Sequence, residues 1–180
     1  ENVQWGKLLR PVTTQLAVEV FWVTYRTLHE NSTLYASPNL AAGRNFALSL
    51  ACNVELERMV AFSYYVFTDG DFEWISGGLS RFLRQAQVLN ASVAVPVLVN
   101  STLVQSAQAS DQVPLSIAHA DHIVVAVSRG AAHELLPYDS GLDSFGCWWV
   151  SQWVFTAIAA LVPHLQTVMI PAVSVANMEV

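Results

Sequence analysis

Charged side chains are scarce in this sequence. Lysine and arginine together number 8, aspartate and glutamate 14, and charged residues make up 12% of the chain against 53% hydrophobic residues. This composition can fill a core and excludes a disordered chain. The basic residues form no cluster, and phosphate backbones are bound by grouped Lys and Arg, so we expect no nucleic-acid partner. With a net charge of −6, binding an acidic substrate would need a metal ion or placed arginines.

Cysteine is rare, and several common motifs are missing. Cys52 and Cys147 have no metal-binding spacing. A disulfide between them and two buried free thiols are both open alternatives. The sequence has no G-x-S-x-G, P-loop or G-x-G-x-x-G motif, so hydrolase and dinucleotide-binding functions lack their signatures. Residues 1–11 lack a basic start followed by an apolar block, so we predict no signal peptide.

The most apolar stretch, residues 145–163, is borderline in length for a membrane span and contains several polar residues. We interpret it as a buried helix, with a membrane span as the alternative. Helical spacing predicts which of its residues form the buried stripe. They are Val150, Trp153, Val154, Ala157, Ile158 and Leu161.

Apolar runs and amphipathic segments alternate along the rest of the chain. Pro96 predicts that the strand containing it lies at a sheet edge, because proline cannot donate to a ladder. Alternating strands and helices are typical of an α/β layered domain with a largely parallel sheet. Strands are predicted at 17–26, 32–39, 61–68, 92–100, 122–130 and 167–175, and helices at about 40–60, 79–89 and 150–161.

An acidic turn, "FTDGDFEW", follows one predicted strand. Asp69 and Asp71 flank Gly70, which permits a tight turn. Side chains two apart in an extended chain point the same way, so both carboxylates are expected to face one point. In open α/β sheets, ligands bind beyond the carboxyl ends of strands. Mg²⁺ or Mn²⁺ uses one or two carboxylates and completes its shell with water and substrate phosphates. The alternative is an acidic surface turn.

A second element precedes that strand. The small residues 41–43 lead into Arg44 and Asn45 at the start of an amphipathic helix. A helix N-terminus favours anions, and a guanidinium can pair with phosphate through two hydrogen bonds. The alternative is that the first turn needs small residues for packing.

The order strand, "AGRNFAL" helix, strand, "DGDF" resembles the nucleotide-sugar-dependent glycosyltransferases of the GT-A fold, in particular the large inverting family. The resemblance covers about residues 17–80 well and 120–180 more loosely. It implies a Rossmann-related α/β three-layer sandwich with a mostly parallel sheet. Residues 1–180 would form a single glycosyltransferase-like catalytic domain, with truncation at one or both ends left open.

The resemblance also assigns roles to residues. It implies that Asp69 and Asp71 hold Mn²⁺ or Mg²⁺ against a UDP- or GDP-linked sugar donor. It places residues near the nucleotide or on the donor side of the site. These are Thr24, Tyr25, Arg26, Arg44 and Asn45, with Asp69 shared between the donor and the metal.

Residues 135–153 are similar to the acceptor segment of that family, but Ser151 and Gln152 stand where an acidic pair is expected. Inverting transfer needs a carboxylate that takes the proton of the acceptor hydroxyl. Asp143 is the first candidate for this base and Asp139 the second. The alternative is that both cap loops.

The sequence therefore predicts a metal-dependent, inverting, hexosyltransferase-like enzyme with a glycan or other hydroxyl acceptor. A non-catalytic carbohydrate- or partner-binding domain of GT-A type is the first alternative, and a nucleotidyltransferase is the second. Sequons at Asn31, Asn90 and Asn100 fit the Golgi or endoplasmic reticulum lumen of a eukaryote. A membrane anchor outside these residues would be compatible with that location.

Overall fold

The computed structural model describes residues 17–24, 30, 32–34, 39–99, 114–117, 121–145 and 150–178. Within these ranges the chain is α/β, as predicted. The helices are α1 (Leu40–Arg58), α2 (Gly78–Val88), α3 (Arg129–Leu135) and α4 (Val150–Leu161), with a 3₁₀ helix at Leu142–Phe145. The strands are β1 (Val23–Thr24), β2 (Thr33–Leu34), β3 (Tyr64–Thr68), β4 (Phe72–Ser76), β5 (Val93–Val99), β6 (Leu115–Ser116), β7 (Val124–Ser128) and β8 (Thr167–Asn177).

The main sheet has the strand order β3-β7-β5-β8-β4, and β6 also pairs with β8. Its β5–β8 pair is parallel, and the other pairs are antiparallel. The prediction of a mostly parallel sheet is therefore wrong. Parallel neighbours need a crossover of a dozen residues or more, and β8 reaches β5 after such a crossover through α3 and α4. Strand β4, which follows β3 without an intervening helix, was not predicted from the sequence.

The position predicted for β5 is wrong as well. β5 lies inside the sheet, although it contains Pro96. Its ladder with β7 includes Val93 and Ala94 alone, so Pro96 lies beyond that ladder. On the other side, the register with β8 shifts between Pro96 and Val97. An irregularity and a short ladder thus accommodate the missing N–H group within an interior strand.

Alternating side chains of the strands enter two hydrophobic clusters. Ala94, Val124 and Ala126 belong to the cluster that contains Phe82 of α2. The intervening strand residues belong to a second cluster together with buried residues of α1, α3 and α4. Helix α2 packs one face against the first of these clusters. Its buried residues are Phe82, Leu83 and Ala86.

Helix α4 turns the opposite face to the core from the predicted one. Trp153 is 44% exposed and Leu161 81% exposed. The buried residues of α4 are Ser151, Gln152, Phe155, Thr156 and Ala159. Apolar spacing gave the wrong face because Gln152 and Thr156 of this helix have buried hydrogen-bonding partners. No helix within the described ranges is both long enough and apolar enough to span a membrane.

The two outer strands of the sheet, β3 and β4, are joined by residues 69–71. In a flat sheet, four strand spacings of about 4.8 Å would separate them by ~19 Å. A link of four residue steps spans at most about 14 Å. The sheet must therefore curl. The ladder between β5 and β7 is short, so these two strands separate at the end of the sheet that carries the acidic turn. The acidic turn lies where the two edges approach each other.

Candidate functional site

The Asp-Gly-Asp turn is held by the backbone on both sides. The N–H of Asp69 donates to the carbonyl of Ile123, just before β7, over 2.9 Å. The N–H of Met178, just after β8, donates to the carbonyl of Asp71 over 2.6 Å. An added Cβ at Gly70 would meet nothing within 4 Å. The two carboxylates therefore project from a fixed link with open space at its centre.

Arg44 lies beneath this turn, on the first part of α1. It is 5% exposed. Its Nη2 donates to Asp69 Oδ1 and to the carbonyl of His122, each over 2.7 Å. Its Nε and Nη1 are buried and have no hydrogen-bonding partner among the residues that the structure describes. Its Cζ lies 5.7 Å from the centre of the Tyr138 ring. The guanidinium predicted on the donor side of the site holds one oxygen of a predicted metal ligand.

The electrostatic surroundings of Asp69 oppose its ionisation. Burial raises the pKa of Asp69 above its ordinary value, and the Asp71 and Asp121 carboxylates raise it further, while Arg44 acts in the other direction. The net direction is upward despite the ion pair. An added positive charge would therefore stabilise the ionised form of Asp69 more than it would stabilise a fully solvated carboxylate.

Asp121 is a site residue that the sequence analysis missed. It lies three residues before the start of β7 at Val124, and β7 runs antiparallel to β3. The start of β7 is therefore beside the end of β3, and Asp121 and Asp69 line the same cavity. In the parallel sheet that the sequence predicted, these two positions would lie at opposite edges. An acidic residue before an apolar strand was the available signal, but it required the correct strand direction.

His122 was missed as well, and it supports the carbonyl that Arg44 uses. Its side chain is fully buried, with Nε2 2.7 Å from Thr156 Oγ1 and Nδ1 3.4 Å from the Tyr138 hydroxyl. Thr156 Oγ1 donates to the carbonyl of Gln152, so Nε2 of His122 is assigned as the proton donor to Thr156. The backbone N–H of His122 donates to Gln152 Oε1 over 3.2 Å. Polar residues of α4 thus fix the backbone under the site.

Asn45, predicted on the donor side, forms a double hydrogen bond with the backbone of Tyr138. Its Nδ2 donates to the Tyr138 carbonyl and its Oδ1 accepts from the Tyr138 N–H, each over 2.8 Å. This pairing attaches the segment before the 3₁₀ helix to α1. In these contacts Asn45 positions Tyr138, whose ring lies against Arg44.

The two predicted base residues both accept backbone N–H groups. Asp143 accepts from Ala41 at 2.9 Å and from Ser151 at 3.3 Å, and these are early residues of α1 and α4. Asp139 accepts from the N–H of Gly141 at 2.9 Å within its own turn. These are the contacts of capping and turn residues, as the alternative interpretation of these residues predicts.

The predicted nucleotide contacts near the N-terminus are only partly described. Thr24 lies in β1, where its Oγ1 is 3.5 Å from Ser32 Oγ. Tyr25 and Arg26 lie outside the described residues, as do Cys147 and the sequons at 31 and 100. The preceding segment, residues 17–23, lines the cavity next to the acidic turn.

That cavity has a volume of about 1030 Å³. Its walls are α1, the segment 17–23, β3 and part of α2. One end is polar and contains Arg44, Asp69, Asp71, Asp121, Gln152 and Asn177. The volume is slightly above the roughly 300–1,000 Å³ typical of ligand sites.

The polar end has a donor set that fits a hard divalent cation. Asp71 is exposed, and Asp69 contacts Arg44 through Oδ1. Carboxylate oxygens are the preferred ligands of Mg²⁺ and Mn²⁺. Among the described residues, no three Asp, Glu, His or Cys side chains already form a group suited to a metal. Two carboxylates with substrate phosphates would satisfy such a cation without a third protein ligand.

Comparison with known proteins assigns no family to this chain. No protein-family model matches the sequence, and no curated protein matches it either.

Proposed function

We propose that this protein is a metal-dependent glycosyltransferase that moves a sugar from a nucleoside diphosphate donor to a glycan or other hydroxyl acceptor. The observation that carries the proposal is the fixed Asp69-Gly70-Asp71 link, with a buried arginine beneath it and a large cavity beside it. The raised pKa of Asp69 adds to this, because such shifts concentrate at functional sites.

The proposed architecture is a GT-A-like three-layer sandwich with a mixed sheet. Hydrophobic clusters on alternating strand residues, one including α2 and the other α1, α3 and α4, support helices on both faces. The acidic link directly follows β3, as the motif follows its strand in the resemblance.

In the proposed mechanism, Asp71 and the second oxygen of Asp69 would hold Mn²⁺ or Mg²⁺. When bound, the cation supplies positive charge to the two donor phosphates and so stabilises the leaving diphosphate. Arg44 acts as a positioning residue, because it fixes the rotamer of Asp69 from below. His122 in turn fixes the carbonyl to which Arg44 donates.

The non-catalytic alternative has an observation in its favour. Asp143 and Asp139, the carboxylates expected to act as base, are engaged by backbone N–H groups. A domain that keeps the donor site and lacks a base would bind nucleotide and sugar without transfer. Hydrolysis or transfer of a donor sugar by the purified protein would exclude this alternative.

The location that we propose is the lumen of the Golgi or endoplasmic reticulum. Asn90, in the one sequon that the structure describes, is exposed in the turn after α2. An exposed acceptor in a turn is compatible with glycosylation in a secretory lumen.

Calorimetric titration with UDP and GDP, with and without Mn²⁺, tests the donor site. We expect nucleotide binding that requires Mn²⁺ and weakens by more than about 10-fold in Asp71→Ala, since loss of an outer-shell partner alone costs at least that much. Glu73→Ala is the matched control, since Glu73 is an exposed carboxylate two residues further on in β4. Absence of binding by a folded wild-type protein, or equal binding by both variants, would contradict the proposal.

A further inference from the structure

Gln152 is buried at the polar end of the cavity. It lies in the first turn of α4, is 4% exposed, and lines the cavity together with Asp69 and Asp121. Glutamine side chains are mostly exposed in folded proteins, and a buried polar group is normally held by hydrogen bonds. The amide of Gln152 is thus an unusual buried group beside carboxylates, and its two ends have different surroundings.

The oxygen end of this amide is bound to the backbone. The N–H of His122 donates to Gln152 Oε1 over 3.2 Å, and because a backbone N–H can only donate, this contact distinguishes Oε1 from Nε2. The Nε2 end carries two N–H donors. None of the hydrogen bonds among the described residues uses them. Since the side chain lines the cavity, these donors are available to a ligand in it.

The amide and the acidic turn are fixed by the same short segment, residues 121–123. The N–H of His122 holds Gln152, and the carbonyl of Ile123 accepts the N–H of Asp69 over 2.9 Å. The carbonyl of His122 accepts from Arg44 over 2.7 Å. The donors of Gln152 therefore keep a constant position relative to Asp69. A donor that is fixed in advance loses little conformational entropy when it binds a ligand.

The carboxylates around these donors indicate which ligand group needs them. When ionised, Asp69, Asp71 and Asp121 only accept hydrogen bonds. A sugar hydroxyl can donate to such carboxylates and does not require an amide. The ionised oxygens of a diphosphate have no proton to donate, so they need a cation and N–H donors. Gln152 supplies such donors at the end of the cavity where Asp69 and Asp71 would hold the cation.

We propose that Gln152 is a phosphate-binding residue, whose Nε2 donates to a phosphate oxygen of the nucleoside diphosphate beside the cation. This inference rests on the proposed function, because it places the diphosphate at Asp69 and Asp71. It also gives position 152 a role unlike that of the acidic residue that the resemblance leads us to expect at this place. A carboxylate could accept a proton from the acceptor hydroxyl, whereas the amide binds the leaving diphosphate and takes up no proton.

Nuclear magnetic resonance of the ¹⁵N-labelled protein tests this contact in the wild type, with UDP or GDP and diamagnetic Mg²⁺. The Nε2 signals of Gln152 are identified as the amide pair that is missing from Gln152→Glu. We expect this pair to move when nucleotide binds. The pair of Gln166, identified in the same way from Gln166→Glu, should stay in place. Gln166 directly precedes β8, and Asn177 at the polar end is the last residue of that strand, so Gln166 lies a strand length away.

Inorganic pyrophosphate with Mg²⁺ separates the phosphates from the rest of the nucleotide. At a saturating concentration it should move the Gln152 pair as the nucleotide does, because it presents the same phosphate oxygens without a nucleoside. Movement with UDP or GDP but not with bound pyrophosphate would assign the amide to the nucleoside and overturn the proposal.

Two variants test the contribution of the donors to affinity. Gln152→Glu retains an acceptor for the His122 N–H and replaces the donors with a carboxylate. Nucleotide binding with Mn²⁺ should weaken by at least about 10-fold, as expected for the loss of a hydrogen bond to a charged group. Binding of Mn²⁺ alone should be unchanged or tighter, because an added carboxylate favours a cation. Gln152→Met removes the donors without adding charge and should also weaken nucleotide binding.

Gln166→Glu, which makes the same change of charge, is the matched control and should leave both affinities unchanged. A merely structural role of Gln152 would change the affinities for Mn²⁺ and for nucleotide together, or neither. Urea denaturation verifies that each variant is folded, and the resonance experiment on the wild type stands by itself if Gln152→Met does not fold.

The outcomes for this inference and for the proposed function are distinguishable. Nucleotide binding with an unmoved Gln152 pair, or with unchanged affinity in Gln152→Glu, overturns the role of Gln152 and leaves the proposed function standing. Absence of metal-dependent nucleotide binding by the folded wild type overturns both.

Discussion

A carboxylate paired with an arginine lies beside each end of strand β3, Glu55 of α1 at the start and Asp69 at the end. The two carboxylates differ in their surroundings. At the start of β3, Glu55 Oε1 accepts from the N–H of Phe62 over 2.6 Å and from Arg129 Nη1 over 2.5 Å. Glu55 Oε2 accepts from the Tyr65 hydroxyl over 2.8 Å. At the end of β3, Asp69 has Arg44 as its paired cation and two further carboxylates nearby.

The pKa values move in opposite directions at these two ends. Burial acts to raise the pKa of Glu55, but its hydrogen bonds from Phe62 and Tyr65 and its pairing with Arg129 lower it overall. Burial and neighbouring carboxylates raise the pKa of Asp69. Burial and Glu55 raise the pKa of Tyr65 to about 12, so its hydroxyl remains a donor. The surroundings of Glu55 thus stabilise its ionised form, whereas the surroundings of Asp69 destabilise its ionised form.

Removing the buried arginine should have the largest effect on stability. Arg44→Met leaves the carboxylate of Asp69 without its paired cation, and breaking a buried pair in this way costs about 3 kcal/mol of unfolding free energy. The side chains of this pair are 6% and 21% exposed. Urea denaturation followed by tryptophan fluorescence measures the loss.

Arg129→Met is the matched control for that variant. The Arg129 side chain is 41% exposed, so solvent screens its pair with Glu55 and we expect a loss of about 1 kcal/mol or less. Equal losses in the two variants would contradict the distinction between the two ends of β3.

Asp143→Ala should have an intermediate effect. It removes the hydrogen bonds to early N–H groups of both α1 and α4, and two caps at about 1 kcal/mol each give a loss of about 2 kcal/mol. Asp139→Ala, which loses one hydrogen bond in an exposed turn, should lose less. Thermal or urea unfolding of the two variants checks this order, and a reversed order would refute the capping role.

Glu55→Gln should have a small effect at neutral pH, about 1 kcal/mol. Because the folded pKa of Glu55 lies below its ordinary value of 4.5, its stabilisation is present above that pH. It disappears as the pH falls through the folded pKa. The difference in unfolding free energy between wild type and Glu55→Gln should therefore shrink below pH 4.5.

Asp69→Asn should show the opposite pH dependence. The folded pKa of Asp69 lies above its ordinary value of 3.8, so ionisation of Asp69 costs stability as the pH rises through the folded pKa. Wild type should then lose stability relative to Asp69→Asn over this window. Unfolding curves at a series of pH values compare both variants, and slopes of the same sign would show that the two carboxylates do not differ.

Local signals predicted several elements well. Helix α1 was expected at about 40–60 and spans Leu40–Arg58, and β3 was expected at 61–68 and spans Tyr64–Thr68. Both have strong periodicity or β-branched and aromatic runs. β4 was not expected, and the segment 17–26 contributes a strand only at Val23–Thr24 among its described residues. Short strands depend on their neighbours more than on their own sequence.

The site was only partly predictable for the same reason. The acidic turn and Arg44 were visible as local motifs, but their mutual ion pair is a tertiary contact between residues 25 positions apart. Asp121 joins the site through the antiparallel direction of β7, which periodicity does not encode. The inverted face of α4 depends on Gln152 and Thr156 finding a buried partner in His122. No pattern within α4 contains that information.

Electron paramagnetic resonance of Mn²⁺ in the presence of UDP or GDP tests the central claim most directly, with wild type, Asp71→Ala and Glu55→Gln compared at equal concentration. We predict that wild type and Glu55→Gln each remove one equivalent of free Mn²⁺ signal per chain, and that Asp71→Ala leaves the free signal as it is with nucleotide alone. If Asp71→Ala binds Mn²⁺ as wild type does, or if wild type binds none, the acidic turn is not a metal site and the account is wrong.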